Sequence, residues 1–563
     1  MKISINKLIN TIEVLSITIF LVLIVCFFFT LDSKTSGYSY MDGYYYTQLF
    51  YNFTHGKMFQ SSVYWMGGPG VIHNPFSYIH SFSYHVNFTP YLFAYLYSIH
   101  PTITFHYLIV IGFNCIFFPY FGWKILKQLT QENVQQKYFL ALSLFLSSSV
   151  FLITIVYQCH PVLFSGPFIL AMYYFLIKKK EWAFYITSIL TALIAEDLAI
   201  FTCTFAIYIF FFEKNLRRYS YFPFIFSFVY VLVVLFIIQP LSKQYLVVAN
   251  TSESGARLMK ILSGVSVKDV IIPHLKVLIL PLALFTCCSF LIIHFTQTQK
   301  EKIQWFKLLG LVFLAPSGYW FISIFETGVQ HHMPIFTTVF IALIIVLSKY
   351  QVLPTISLRR FYCVSVVVSI LFLGNIAYSK SVYVHLLPTS LLSHIEHLFP
   401  SKLKQQYERI KKENLEKERN NYLVQVVDTI PKTSSMVIWT NCDVVSFCVN
   451  RSDIWVFPKN YTISDYLVIQ KNAKRSFVEL SSVKDDNVSN LPDREIYDFP
   501  DIEKEYIIDM TSVNYIHDKL VNKEKTHMVI LDDKYILLLK RKMHYDIPIP
   551  HSSIGFNFFR KHR

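Results

Sequence analysis

Long apolar runs separated by short basic clusters constrain this chain more than any other feature. After Lys2 and Lys7 an apolar run covers about residues 12–30. Further runs cover roughly 103–122, 137–157, 161–177, 182–212, 219–238, 273–296, 304–324, 332–348 and 360–379. About 20 apolar residues in a helix cross a hydrocarbon core about 30 Å thick. Composition points the same way. Of 563 residues, 53% are hydrophobic and only 15% charged, where soluble domains carry about 25% charged residues. A soluble enzyme and a disordered chain are thereby excluded. The first run is longer than the 7–15-residue core of a secretory signal, so it is expected to be a span with its N-terminus inside.

The net charge is +15, but the cations outside the polar tail cluster between apolar runs, which is the pattern of cytoplasmic loops. No nucleic-acid partner is expected, because that would need a basic face on a soluble module; the expected partner is the bilayer. Placing Lys124 and Lys127, Lys178 to Lys180, Lys214 to Arg218, Lys300 to Lys307 and Lys349 to Arg360 inside tests the parity of the spans. Run 182–212 decides it. As one helix it would be about 46 Å long, too long for one crossing, and it would move the Lys214 cluster outside. Split at Glu196-Asp197 it gives about eleven spans, N-terminus in and C-terminus out. Phe88 to Ile99 must then be a re-entrant or interfacial segment of the outer loop 31–102.

With that parity the candidate chemistry collects on the outer face. Asp42, in SYMDGYYYTQLFYNFTHG, can take a proton from an attacking hydroxyl, or can form an Asx-turn with Gly43. Glu196 and Asp197 interrupt an apolar stretch, where ionised carboxylates are costly; they read as a binding site or as a hairpin apex reaching water. His160 precedes Pro161, and His331 and His332 precede Met333-Pro334; Pro suits a helix's first turn. These histidines, and His85, can meet a phosphate or a metal, or simply lie at the interface. Arg257 and Lys260 belong to an outer loop, 239–272, whose cations suit a phosphate or solvent.

From about Leu398 the composition changes to a charged helix-like run, 402–420, followed by short β-like runs in SMVIWTN, DIWVFP, DYLVIQ and HMVILDDKYILLLKRK. Residues 398–563 read as a small extracytoplasmic α/β domain after a membrane part at 1–397. A disulfide between Cys442 and Cys448 is open on an oxidising face.

Several of these segments together resemble a family of bacterial and archaeal membrane proteins known as domain of unknown function 2079, which is itself similar to GT-C glycosyltransferases. The family pattern DLGxFDQxLWNxxxG aligns with DGYYYTQLFYNFTHG, keeping Asp42, Gln48, Asn52 and Gly56, with Thr47 at the second acidic position. An H-x-x-P segment fits loosely at HVNFTP, where Asn87 takes the histidine position. The HP start matches His160-Pro161, and a KED apex matches Ala195-Glu196-Asp197, with Glu196 and Asp197 retained and Ala195 in place of the lysine. The resemblance implies a GT-C-like helical membrane fold and inverting sugar transfer from a polyprenyl-phosphate donor. It implies Asp42 as general base, and Glu196 and Asp197 lining the same cavity; Gln48, Asn52, His85, His160, His331, His332, Arg257 and Lys260 are the further candidate substrate contacts. A divalent metal is one option for a cofactor. A transporter or flippase, and a non-catalytic scaffold, are the alternatives; the sequence sets no oligomeric state.

Overall fold

The computed structural model describes residues 41–61, 79–80, 86–130, 134, 160–238, 302–319, 333–348, 419–440, 448, 450–451, 453–456, 464–471, 474–475, 506–507 and 510–542. The runs at 12–30, 137–157, 273–296 and 360–379, the loop 239–272 and most of 402–420 lie outside the described residues.

Where the apolar runs are described they are helices. After helix α1, Met41–Thr54, a short hairpin pairs β1, Gln60–Ser61, with β2, Ile79–His80. A 3₁₀ turn at Thr89–Phe93 then leads into the single turn α2, Ala94–Tyr97. Helix α3, Ile103–Leu129, starts at Thr102, whose side chain accepts from Phe105 N. Another 3₁₀ turn, Pro161–Phe164, opens α4, Ser165–Ile177. Next come α5, Glu181–Ala192, α6, Glu196–Phe212, and α7, Arg218–Val233, which widens into a π-turn at Val234–Ile238. Helices α8, Lys302–Leu309, and α9, Met333–Ser348, complete the described helical part. Among the described residues, two stretches, Phe105–Leu129 and Arg218–Ile238, are long and apolar enough to cross a membrane by length and composition.

Run 182–212 is divided, as its length required. The break falls at 193–195, and Glu196 and Asp197 open the first turn of α6 rather than standing between two helices. Within residues 88–99 the chain forms the 3₁₀ turn and the single turn α2, too short in helical extent to cross a membrane as a helix. One expectation is corrected. Asp42-Gly43 is helical backbone within α1, not an Asx-turn in a loop, because the tyrosine-rich stretch that follows is buried and favours continuous helix.

In the tail, β3 (Met436–Trp439), β4 (Ile454–Val456), β5 (Tyr466–Gln470), β8 (His527–Asp532) and β9 (Ile536–Arg541) form a five-stranded sheet of order β4-β3-β5-β9-β8, and β6 (Lys474–Arg475) pairs separately with β7 (Tyr506–Ile507). β3 pairs in parallel with β4 and β5; β9 runs antiparallel to both β5 and β8. Alternation sends Val437, Trp439, Leu467, Ile469, Leu537 and Leu539 to one face, where they meet Val513, Ile516 and Leu520 of the helix beginning at Met510. Met436, Ile438, Val468, Ile536 and Leu538 face the other way, into a core shared with helix 419–429 and the bundle. Cys448 is a buried free thiol, which burial pushes up to about 12; Cys442 lies outside the described residues.

Candidate functional site

Helix α1 carries the first candidates. It ends where Asn52 O accepts from Lys57 N at 2.9 Å, around Gly56 at φ +82. That left-handed conformation suits glycine and terminates the helix. Asp42 lies at the other end of α1. Between them Tyr45 to Phe50 are buried, so this element of the supposed loop is part of the core.

Each polar residue on the buried stretch has a specific neighbour. Tyr46 meets the His160 ring edge-on, with centroids 5.4 Å apart. His160 is itself buried and caps its turn, accepting from Val162 N at 3.3 Å. Thr47 Oγ1 and His106 Nδ1 of α3 are 2.9 Å apart. Gln48 donates to Arg451 O at 3.3 Å and accepts from Ser61 Oγ at 2.6 Å. Asn52 donates to Gln60 O at 2.8 Å. Gln48 and Asn52 thus secure the hairpin and the tail against α1.

Glu196 and Asp197 are both buried. Glu196 Oε2 accepts from Val86 N at 3.0 Å, and the Tyr230 hydroxyl of α7 donates to Val86 O at 3.1 Å. Phe88 N and Thr89 N donate to Leu193 O at 2.8 and 3.0 Å, and Thr89 Oγ1 donates to Leu190 O at 2.7 Å. The chain around Val86 is therefore stapled across the α5–α6 break. The next residue, Asn87, is buried, and its Oδ1 has no hydrogen-bond partner among the described residues. Aromatic contacts link this segment back to α1, with Tyr91 against Phe53 at 4.9 Å and Phe50 at 5.9 Å.

Chain direction places these groups at one end of the bundle. Helix α4 runs from His160 to the Lys178–Lys180 turn, α5 returns to the break, and α6 leaves again for the 213–217 turn. The two basic turns touch, since the Tyr219 hydroxyl donates to Lys179 O at 3.2 Å. His160 and the Glu196-Asp197 pair thus share the end opposite the cations. Helix α9 also begins there, with the Met333 side chain against Gly166 in the first turn of α4. His331 and His332, just before it, lie outside the described residues, as do His85, Arg257 and Lys260.

A family model described as "Predicted membrane protein (DUF2079)" matches residues 40–493. The chain belongs to this family. No curated protein matches it. Among solved structures, ArnT from Cupriavidus metallidurans bound to undecaprenyl phosphate aligns over 94% of this chain and 98% of that one, at 9% identity and a TM-score of 0.47.

Two of the departures from the DUF2079 pattern, Thr47 and Ala195, have structural consequences. Thr47, in place of an acid, faces His106, whose Nε2 has no partner among the described residues. Ala195, in place of a lysine, is the extended residue before α6 and is buried. Among the described residues no group of three or more His, Cys, Asp or Glu side chains is placed to hold a metal ion. Sequence reading passed over His106, Tyr230 and Arg451. A histidine inside an apolar run was the available signal for the first; Tyr230 is one tyrosine among 38.

Proposed function

We propose that the chain transfers a sugar from a polyprenyl-phosphate donor to an acceptor hydroxyl at the bundle end where α1, His160 and Glu196-Asp197 converge. That convergence is the observation that carries the reading: α1 meets the turn-capping His160 through Tyr46, and through Phe50 and Phe53 it reaches the segment bound to the buried acidic pair, at the end opposite the basic turns. The family resemblance supplies the substrate class.

In this reaction Asp42 accepts the proton of the acceptor hydroxyl as that oxygen bonds to the anomeric carbon. The bond from anomeric carbon to phosphate oxygen breaks on the opposite face, and the polyprenyl phosphate leaves with the electron pair, so configuration inverts. Glu196, Asp197 and the Asn87 amide offer acceptors for sugar hydroxyls. Arg257 and Lys260 are assigned to the departing phosphate, where preorganised positive charge lowers the barrier. Gln48 and Asn52 act through the hairpin they hold, and His160 through Tyr46.

In purified, folded protein Asp42→Asn should lower transfer by about 10²-fold or more, the usual scale of a lost general base. Undiminished transfer would remove Asp42 from the chemistry. A second reading, transport, is favoured by the broken helix pair with buried acids, a feature of substrate paths. Flux of lipid-linked sugar across vesicles containing only this protein, without transfer, would select it.

A further inference from the structure

Helix α5 has 12 residues. At 1.5 Å per residue it is about 18 Å long, well short of the ~30 Å hydrocarbon core. Its partner α6 has 17 residues, about 26 Å. The break between them, with Glu196 and Asp197, therefore lies below the outer surface of the bilayer, and something must fill the depth above it. Residues 86–89 are bound to that break through Leu190, Leu193 and Glu196. From there the 3₁₀ turn and α2 run outward beside α3. Phe93 meets Phe113 at 5.0 Å, and Tyr97 meets His106 at 5.9 Å. Those contacts fix both direction and depth. Counting about 20 residues back from the basic pair Lys124 and Lys127 puts the outer boundary of α3 near residue 104, so Phe93 to Tyr97 lie inside it. Nine residues of 3₁₀ and α helix add about 16 Å, enough to complete a bilayer thickness above α5.

The surface of this segment is two-sided. Pro90, Tyr91, Ala94 and Tyr97 are buried, whereas Leu92, Tyr95, Leu96 and Ile99 are 62%, 66%, 45% and 73% exposed. The exposed set follows the i, i+3, i+4, i+7 spacing of one helix face. Ser98 and His100 are exposed at its outward end, where headgroups begin. The neighbouring span α3 likewise exposes Ile116 and Phe117.

We propose that residues 89–97 form a re-entrant half-span that completes α5, with Leu92, Tyr95, Leu96 and Ile99 seated against the acyl chains of the outer leaflet. The acidic pair then sits at the inner foot of this half-span. The inference needs only a membrane-embedded chain and is independent of sugar transfer, so its test reads no transfer activity.

The intact protein is reconstituted in phosphatidylethanolamine–phosphatidylglycerol vesicles and footprinted with hydroxyl radicals. Leu92 and Leu96 should remain as unlabelled as buried Tyr97, while Met528 and Ile530 of the tail sheet, similarly exposed, are labelled. Labelling of Leu92 and Leu96 as strong as that of Met528 overturns the proposal. A benzophenone amino acid placed at Leu96 should give phospholipid adducts on irradiation and give none when placed at Tyr97; equal yields overturn it. Leu92→Lys should lower the folded, inserted yield by about tenfold or more, since a charged side chain held in hydrocarbon is costly, while Ser98→Lys is tolerated. Equal tolerance of the two also overturns it.

Discussion

His527 begins β8 with no exposed surface, its Nδ1 2.9 Å from Thr526 Oγ1. Burial, reinforced by the charge of Arg541 and partly offset by a Ser464 backbone hydrogen bond, lowers its pKa to about 4. The ring is therefore neutral in the folded sheet, whereas in the unfolded chain it titrates near 6.5. The unfolded state binds the proton more readily, so this residue's contribution is fully present above about pH 6.5 and is lost as pH falls toward 4. Discounted for solvent screening, the loss is about 1–2 kcal/mol. Amide exchange of β8 and β9, corrected for intrinsic rate, should accelerate between pH 7 and 4.5 in the parent. It should stay flatter in His527→Gln. Parallel acceleration in both would assign the pH dependence to other groups.

At the scale of elements, the period of the sequence carried most of what could be read. The β-like runs became β3, β4, β5, β8 and β9 because their branched and aromatic residues alternate or run continuously between polar turns. The split of run 182–212 followed from bilayer thickness and from keeping the Lys214 to Arg218 cluster inside. The exact break did not, because its position depends on hydrogen bonds from residues 88 and 89. The charged run expected to be a helix over 402–420 is described only from 419, where helix continues to 429. Close helix approaches were also invisible, since they depend on which residues face each other. Gly318 is one such approach. A Cβ there would lie 2.7 Å from both Ile200 Cγ2 and Thr204 Cγ2, and 3.3 Å from Ile200 O. The same contact brings Thr204 Oγ1 to Ala315 O at 2.6 Å. Gly318→Ala should push the 310–319 segment off α6 and cost about 1–3 kcal/mol. Gly112→Ala, with nothing within 4 Å of its added Cβ, should be neutral or mildly stabilising, as Ala is the better helix former. Thermal aggregation of the detergent-solubilised proteins would rank the two; an equal shift would contradict the packing argument.

For the whole molecule, α1 is one of the described elements that join the helical bundle to the tail sheet. Gln48 reaches Arg451 across 403 positions of sequence, a contact that leaves no local pattern to read. Arg451 is fully buried, and its guanidinium donates to Val427 O, Ile430 O and Pro431 O at 3.1 to 3.3 Å. It closes the end of helix 419–429 while its own carbonyl holds Gln48. Burial lowers its pKa, so the site spends some of the stability of that charge on fixing one arrangement. At the rim, Lys57 Nζ lies 2.8 Å from Asp453 Oδ1, each side chain 32% exposed. A pair at that exposure contributes about 0.2–1 kcal/mol, small against the shared apolar core but specific to this junction. Lys57→Glu or Asp453→Lys alone places like charges together and should raise amide exchange in both 52–60 and 453–456 by about two- to fivefold. The double exchange Lys57→Glu with Asp453→Lys should restore protection, because opposite charges again face each other. Additive loss in the double variant would mean that the tail reaches α1 through Gln48 and the core alone, with the ion pair a bystander.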